Sequence, residues 1–295
     1  MKTAYLFAGI SIILWSTLAT ISKLLLGTMN SFQVLMFSSF FAAAALLAAN
    51  VITGKIKQLK EYRIKDYAIT LLICIPGTFL YYVFLYLGTA RMAASQAFII
   101  NYLWPIMSVV FACIILKEKL TIRKCIAIIL SFLGVLTVAG NELLNFNFET
   151  LAGAGLCVLA AVSYGIFTAL NQKWSYDEQN SMMLSFFATF ILSAIINLFV
   201  GGEIKPDALQ ILGLAWNGIF VMGIATVTWA LALRLGGTAR ISNLAYVTPF
   251  ISSVWTFFIL KEPIEPWSVA GLVIIVLGIF IQLKGGGKVE LHEEK

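Results

Sequence analysis

Two prolines, Pro105 and Pro249, lie near the centres of long apolar stretches and are 144 residues apart. Proline has no amide hydrogen, so each frees the backbone carbonyl four residues earlier, that of Asn101 or Ala245. Broken helices at mid-membrane expose polar backbone that can bind a small ligand or permit gating. The alternative is a packing kink without ligand contact. We therefore interpret Pro105 and Pro249 as candidate gating breaks.

Aromatic and polar side chains follow helical register around these breaks. Such rings, with scattered hydrogen-bonding groups, suit flat apolar ligands through stacking and edge-to-face contact. Any single ring is better explained by helix packing or anchoring at the membrane interface, so the set carries more weight than its members. The candidate cavity residues are Trp15, Tyr82, Tyr86, Asn101, Tyr102, Trp104, Tyr164, Trp229 and Tyr246.

The charged residues limit the substrate. All 14 acidic residues lie in connections, span ends or tails, so no carboxylate is predicted at mid-membrane. Glu118 and Glu262, at helix ends, are the remaining candidates for a proton carrier, and pairing with a nearby lysine explains them better. Lys23 either attracts a carboxylate near the outer mouth or snorkels to the interface. A neutral or zwitterionic molecule fits best, because uncompensated charge in lipid is costly.

Neither catalysis nor a resident cofactor or metal is predicted. The sequence has no P-loop, HExxH or GxSxG motif, and its four cysteines lie inside apolar runs without metal-binding spacing. The net charge is +6, and the basic residues lie in short connections between apolar segments. This pattern sets the orientation of a membrane protein and does not indicate nucleic-acid binding. The predicted partners are a small-molecule substrate and membrane lipid, and the sequence is compatible with a monomer. An intramembrane enzyme and a structural or sensory membrane protein are the less favoured alternatives.

The sequence predicts ten apolar helices, and these helices position the candidate residues. Of the 295 residues, 60% are hydrophobic and 12% charged, whereas soluble domains are about 45–50% apolar. Apolar runs of about 20 residues predict membrane-spanning helices. The predicted spans 1 to 10 are 4–26, 32–53, 66–87, 93–116, 123–140, 151–171, 181–200, 208–232, 239–260 and 266–283. With a cytoplasmic N-terminus, 16 of the 20 Lys and Arg fall on the cytoplasmic side, so both termini are predicted there.

The spans form two copies of one unit. A shift of 144 residues aligns 102–136 with 246–280 without a gap, with ten of the 35 positions identical. Because each copy has five spans, the second must enter the membrane from the opposite face, which gives inverted repeats and an architecture suited to alternating access. The predicted fold is an all-α membrane protein with repeats at 1–145 and 146–284 and a cytoplasmic tail at 285–295.

Short strings in the chain resemble a known family. LWSTLA at 14–19, NYLWP at 101–105, and the LKE ends of spans 4 and 9 are similar to the EamA family of the drug/metabolite transporter superfamily. Within that family, the first two strings resemble bacterial aromatic amino-acid exporters. The resemblance implies a helical basket in the inner membrane whose cavity is lined by spans 1, 3, 4, 6, 8 and 9.

The same resemblance implies outward movement of amino acids or metabolites. It carries cavity roles to Tyr82, Tyr86, Tyr102 and Trp104, although span 3 offers the adjacent tyrosines Tyr81 and Tyr82 and aligns less closely. The superfamily's four-span drug pumps use a carboxylate in their first span, which this sequence lacks. The sequence therefore predicts an exporter of zwitterionic or neutral metabolites, aromatic or hydrophobic amino acids foremost. An exporter of another metabolite or drug class on the same fold remains the alternative.

Overall fold

A computed structural model describes residues 2–144, 147–174, 176–200, 205–236 and 242–283. Within these ranges it describes all side chains except those of 139–144, 172, 233, 234, 242, 243, 246, 282 and 283. The described chain consists of helices and their connections. The α-helices are α1 (Lys2–Ser16), α2 (Leu18–Leu26), α3 (Ser31–Ile52), α4 (Ile64–Ile75), α5 (Tyr81–Thr89), α6 (Ala94–Asn101), α7 (Trp104–Ile115), α8 (Ile122–Leu144), α9 (Phe148–Lys173), α10 (Glu178–Val200), α11 (Ala208–Ala215), α12 (Ala225–Gly236), α13 (Thr248–Trp255) and α14 (Pro266–Leu283). Shorter segments are π-helical at Pro76–Leu80, Trp216–Ile224 and Thr256–Leu260, and 3-10 helical at Lys55–Glu61 and Ser242–Val247.

Several of these helices join into stretches long enough to cross a bilayer. A helix of 22 residues is about 33 Å long, close to the ~30 Å hydrocarbon core. Large apolar side chains such as those of Leu72 and Phe199 are exposed on the outer surface, as lipid contact requires. The stretches in the described chain that meet the length and composition criteria number seven: Lys2–Leu26, Ser31–Ile52, Ile64–Thr89, Ala94–Ile115, Phe148–Asn171, Glu178–Val200 and Ala208–Ala232. The predicted all-α, multi-pass membrane class is confirmed.

The two candidate gating prolines follow interruptions in their helices. α6 ends at Asn101, and α7 restarts at Trp104 with Pro105 as its second residue. The 3-10 segment Ser242–Val247 precedes α13, where Pro249 is again the second residue. Proline is tolerated at this position because the amide hydrogens of a first helical turn have no partner within the helix. The predicted breaks are therefore present, and each proline begins a helix.

The helices pack in a set of close pairs. α8 packs along α14, and α3 packs along α10. α9 contacts both α5 and α7, while α1 contacts both α12 and α13. α10 also contacts α4, and α3 contacts the π-helical segment Trp216–Ile224. This arrangement surrounds the two proline breaks with helices from both halves of the chain.

The LKE sequences end their helices in the same way. Lys117 and Lys261, 144 residues apart, have φ values of 57° and 58°. Among the described residues, they are the non-glycine residues with positive φ, a conformation that commonly closes a helix C-terminus. The amide of Glu118 bonds the carbonyl of Ala112 at 3.4 Å, and the amide of Glu262 bonds that of Thr256 at 3.4 Å. Because the two motifs share this geometry, we infer that both end their helices.

The side chains of the two glutamates differ in their partners. Glu118 pairs with Lys124 at 2.8 Å, in agreement with the predicted lysine pairing. Glu262 instead accepts hydrogen bonds from the N-terminus of α6, because the bundle brings these two ends together. The predicted explanation by lysine pairing therefore describes Glu118 but not the hydrogen bonds of Glu262.

Candidate functional site

A chamber lies where the two interrupted helices meet. Its volume is about 90 Å³, and none of its lining residues carries a charge. The lining comes from the helices of spans 1, 3, 4, 6, 7, 8 and 9. The lining residues are Trp15, Leu18, Gly77, Tyr81, Tyr82, Phe98, Asn101, Tyr102, Trp104, Tyr164, Met182, Phe186, Thr226, Trp229 and Thr248.

Aromatic rings form two groups in the lining of the chamber. In the first, the Tyr164 ring contacts those of Tyr81, at 5.0 Å, and Trp104, at 5.2 Å. In the second, the rings of Trp15 and Trp229 lie 5.2 Å apart. Tilted and edge-on arrangements at these separations are favourable for aromatic pairs. The lining therefore presents ring faces and edges to an occupant.

Two polar side chains at the breaks retain unpaired oxygen atoms. Asn101 is 2% exposed and donates from Nδ2 to the Tyr81 hydroxyl at 2.9 Å, but its Oδ1 has no hydrogen-bond partner among the described residues. The Thr248 hydroxyl, in a residue 1% exposed, likewise has no partner in the described chain. A buried polar atom without a partner costs free energy. Both atoms are available to a polar group entering the chamber.

Tyr102 connects the two breaks. Its hydroxyl donates to the carbonyl of Ala245, which lies four residues before Pro249 and so receives no α-helical hydrogen bond from that residue. The bond crosses from span 4 to span 9. Tyr102 thus satisfies the broken backbone while its ring borders the chamber.

The structure brings together seven of the nine sequence-predicted cavity residues: Trp15, Tyr82, Asn101, Tyr102, Trp104, Tyr164 and Trp229. Tyr86 lies outside the lining, fully buried, where its hydroxyl accepts a hydrogen bond from Asn217 at 2.7 Å. The adjacent residues Tyr81 and Tyr82, which follow the π-helical turn Pro76–Leu80, both reach the chamber. The side chain of Tyr246 lies outside the described residues.

Eight residues of the lining are not among the nine candidates, namely Leu18, Gly77, Tyr81, Phe98, Met182, Phe186, Thr226 and Thr248. The repeat contained a signal for Thr248, because it is the counterpart of Trp104 at a shift of 144. Helical spacing contained another for Thr226, which precedes Trp229 by three residues. Met182 and Phe186 had no comparable signal, since their apolar span was not expected to reach the cavity.

A second cavity of about 260 Å³ adjoins the chamber, and the two share Met182 and Thr226 as lining residues. Unlike the chamber, this vestibule is lined by charged groups, including Glu178 and the ion pair between Lys55 and Asp177 at 2.8 Å. Lys55 follows the C-terminal end of α3, so the vestibule lies toward that end of the bundle. The chamber therefore adjoins a polar space on one side.

A multi-pass helical bundle with an uncharged chamber between two broken helices defines a membrane transporter. The chain belongs to the EamA-like transporter family, whose model matches residues 2–140 and again residues 151–283. A solved crystal structure superposes on 97% of this chain and 98% of its own with a TM-score of 0.71 at 20% identity. The fold is therefore shared with that structure.

Several proteins of known sequence are similar to this chain. An uncharacterized transporter of Clostridium kluyveri is 27% identical over 300 residues, covering 98% of this chain and 95% of its own. The aromatic amino acid exporter YddG of Ancylobacter novellus is 22% identical and covers 61% of this chain and 63% of its own. An S-adenosylmethionine uptake transporter of Rickettsia prowazekii is 25% identical and covers 86% and 83%. All are named transporters, and their named substrates and directions differ.

Proposed function

We propose that this transporter exports small zwitterionic or neutral metabolites, foremost aromatic and hydrophobic amino acids, across a bacterial cytoplasmic membrane. The observation that carries the proposal is the uncharged aromatic chamber between two broken helices. Its two groups of aromatic rings suit the side chain of an aromatic amino acid. The unpaired oxygens of Asn101 and Thr248 suit an ammonium group, which needs hydrogen-bond acceptors once it leaves water. No catalytic role is proposed.

The mechanism proposed is alternating access by two inverted five-helix repeats. Exchanging spans 1–5 with spans 6–10 converts the contacts of α9 with α5 and α7 into those of α1 with α12 and α13, and it leaves the pairs α8–α14 and α3–α10 unchanged. The two matches of the family model to the chain also support the duplication. Related repeats can rock against each other around a fixed central site.

Glycine contacts between α8 and α14 support the same exchange. A Cβ added at Gly134 would lie 2.6 Å from Ile275 and 2.8 Å from the carbonyl of Gly271. A Cβ at Gly278 would lie 2.9 Å from Ser131 and 3.0 Å from the carbonyl of Ala127. A shift of 144 residues converts the first group of contacts into the second. The proposed symmetry therefore extends to the contacts between individual residues.

The orientation proposed places both termini in the cytoplasm, because 16 of the 20 Lys and Arg then lie on that side. The charged vestibule then faces the cytoplasm. The chamber, at about 90 Å³, is smaller than the roughly 300–1,000 Å³ of typical ligand pockets, so substrate binding requires it to widen. Without a carboxylate in the lining, transport proceeds as facilitated diffusion or exchange, without a buried proton carrier.

Counterflow into proteoliposomes tests this function. We expect preloaded phenylalanine to drive uptake of radiolabelled phenylalanine, with the same initial rate in the presence and absence of a pH gradient. Counterflow is measured in parallel for compounds of other substrate classes: threonine, S-adenosylmethionine and a lipophilic cation. Absence of phenylalanine counterflow in protein that retains its melting transition would remove aromatic amino acids from the proposal.

The alternative is a transporter of another metabolite or drug class on the same fold. The similarity to an S-adenosylmethionine uptake transporter favours a larger substrate and the opposite direction. Selective counterflow of S-adenosylmethionine would support that alternative, since the chamber and vestibule together offer both aromatic rings and carboxylates.

A further inference from the structure

Glu262 joins the two halves of the bundle at the end opposite the vestibule. Its carboxylate accepts hydrogen bonds from the backbone amides of Ala94 at 2.8 Å and Ser95 at 3.0 Å. It also accepts one from the Ser95 hydroxyl at 2.9 Å. These amides begin α6, where a helix favours negative charge and has no internal acceptors of its own. A side chain at the end of span 9 therefore caps the first turn of span 4.

Lys23 closes the same end from span 1. Its ammonium donates to the carbonyls of Thr89 at 2.8 Å and Met92 at 2.6 Å, in the turn between α5 and α6. The ammonium and Glu262 also attract each other electrostatically. Lys23 is thus bound to backbone, in place of the predicted snorkelling or carboxylate capture. Spans 1, 3, 4 and 9 meet here through groups that are charged or polar.

Glu118 occupies the equivalent position in the first repeat, where it is exposed and bonds Lys124 of its own repeat. The equivalents of Ala94 and Ser95, Thr238 and Ala239, lie outside the described residues. The vestibule, which shares Met182 and Thr226 with the chamber, lies toward the opposite end of the bundle from Lys23. Contacts between the halves occur at both ends, since Lys55 pairs with Asp177 beside the vestibule, and the vestibule adjoins the chamber at the end opposite Glu262.

We propose that Glu262 is a gate latch: its bonds to the α6 N-terminus hold one entrance of the chamber closed, and they break each time that entrance opens. Lys23 is the second member of the latch. Charge-assisted hydrogen bonds of this kind are strong enough to bias an equilibrium between two states but weak enough to break during transport. The inference rests on the alternating access proposed above. It identifies contacts that are present in one state and broken in the other.

The first test measures access past the latch without any substrate. Thr20 is 1% exposed and lies on α2 between Lys23 and the chamber residue Trp15. In a chain whose four native cysteines are replaced, Thr20→Cys is labelled in proteoliposomes by a membrane-impermeant maleimide added at the face that carries Glu262. We expect Glu262→Gln to raise the labelling rate ~tenfold and Glu262→Ala to raise it further, because charged acceptors are lost.

Glu265→Gln is the matched control, because Glu265 lies three residues away on the same connection and is exposed. It should leave the labelling rate unchanged. Equal rates in the parent, Glu262→Gln and Glu262→Ala chains would overturn the proposal, as would the same increase in Glu265→Gln. Because no substrate is used, failure of phenylalanine transport would leave this result intact.

The second test uses the double variant before cross-linking as its own control for folding and transport. Ser95→Cys and Glu262→Cys are combined in the same background and joined by a short reducible bifunctional thiol reagent. We expect complete cross-linking to abolish phenylalanine counterflow and to return it after reduction. Undiminished counterflow in fully cross-linked protein would show that the contact need not break, and the latch would be rejected.

Discussion

Trp104 and Thr248 occupy equivalent positions in the two repeats, yet they bring different chemistry to the chamber. The first contributes an indole that contacts Tyr164, and the second contributes a hydroxyl with no partner in the described chain. The chamber lining is thus asymmetric, with aromatic rings in two groups and, at the breaks, oxygen atoms that lack a partner in the described chain. That asymmetry orients a ligand that has one flat apolar end and one polar end.

At the same scale, Trp104→Ala is expected to reduce phenylalanine counterflow by ~tenfold or more. The substitution removes an edge-on aromatic contact and enlarges the chamber. Transport should fall because a buried aromatic ring contributes a large share of the binding free energy. Initial rates at several phenylalanine concentrations measure the effect. Trp267→Ala is the control, because Trp267 is 52% exposed on the outer surface. Parent-like rates in Trp104→Ala would remove this residue from the site.

At the scale of elements, helix ends and helix contacts match at the shift of 144 residues found in the sequence. The LKE motif, which appears in the sequence only as a matching string, closes two helices through a lysine with positive φ. Between α8 and α14, small residues allow the backbones to approach, as is common where lipid removes the hydrophobic driving force between helices. α8 and α14, which contribute no described residue to the chamber lining, thus pack closely against each other.

Gly134→Ala is expected to lower the melting temperature of the detergent-extracted protein. The added methyl would lie within 2.8 Å of the Gly271 carbonyl, so α8 and α14 must separate, at a cost of about 1–3 kcal/mol. Thermal unfolding followed by intrinsic fluorescence measures the change. Gly155→Ala is the matched control, because a Cβ there meets nothing within 4 Å and alanine favours the helix. Equal melting temperatures for both variants would contradict the close packing.

At the scale of the whole molecule, the proposed inversion predicts the face of the membrane on which equivalent residues of the two repeats lie. Lys119 and Pro263 are equivalent residues of the two repeats and follow the two LKE motifs. Inverted repeats place them on opposite faces of the membrane, and parallel repeats would place both on one face.

Single cysteines at these positions, Lys119→Cys and Pro263→Cys, test the sidedness in whole cells. With the four native cysteines replaced, we expect an impermeant maleimide to label only Pro263→Cys in intact cells and both variants after permeabilisation. Labelling of both variants in intact cells, or of neither, would exclude the ten-span inverted arrangement. Labelling of Lys119→Cys alone would reverse the proposed orientation of the chain.

Much of the chamber was predictable because helical spacing and a duplicated sequence limit where side chains can lie. Tyr82, Tyr102 and Tyr164 were selected from their helical register, and they border the chamber. Tyr86 was misplaced because helical spacing gives the face of α5 but not how far the chamber extends along it; Tyr86 lies one turn beyond Tyr82, and its hydroxyl is bound by Asn217. Phe186 was missed because nothing in an apolar span shows which of its faces meets another helix.

By itself, the sequence determined the membrane class, the approximate helix positions and the places where helices break. These follow from composition, run length and proline chemistry, which act locally along the chain. Only the tertiary structure decided that Tyr102 binds the carbonyl of Ala245 and that Glu262 caps α6. Both contacts join residues more than 140 positions apart, and their partners are backbone groups that every residue type offers. A side-chain pattern cannot identify such a partner, because the choice depends on how the finished bundle brings the helix ends together.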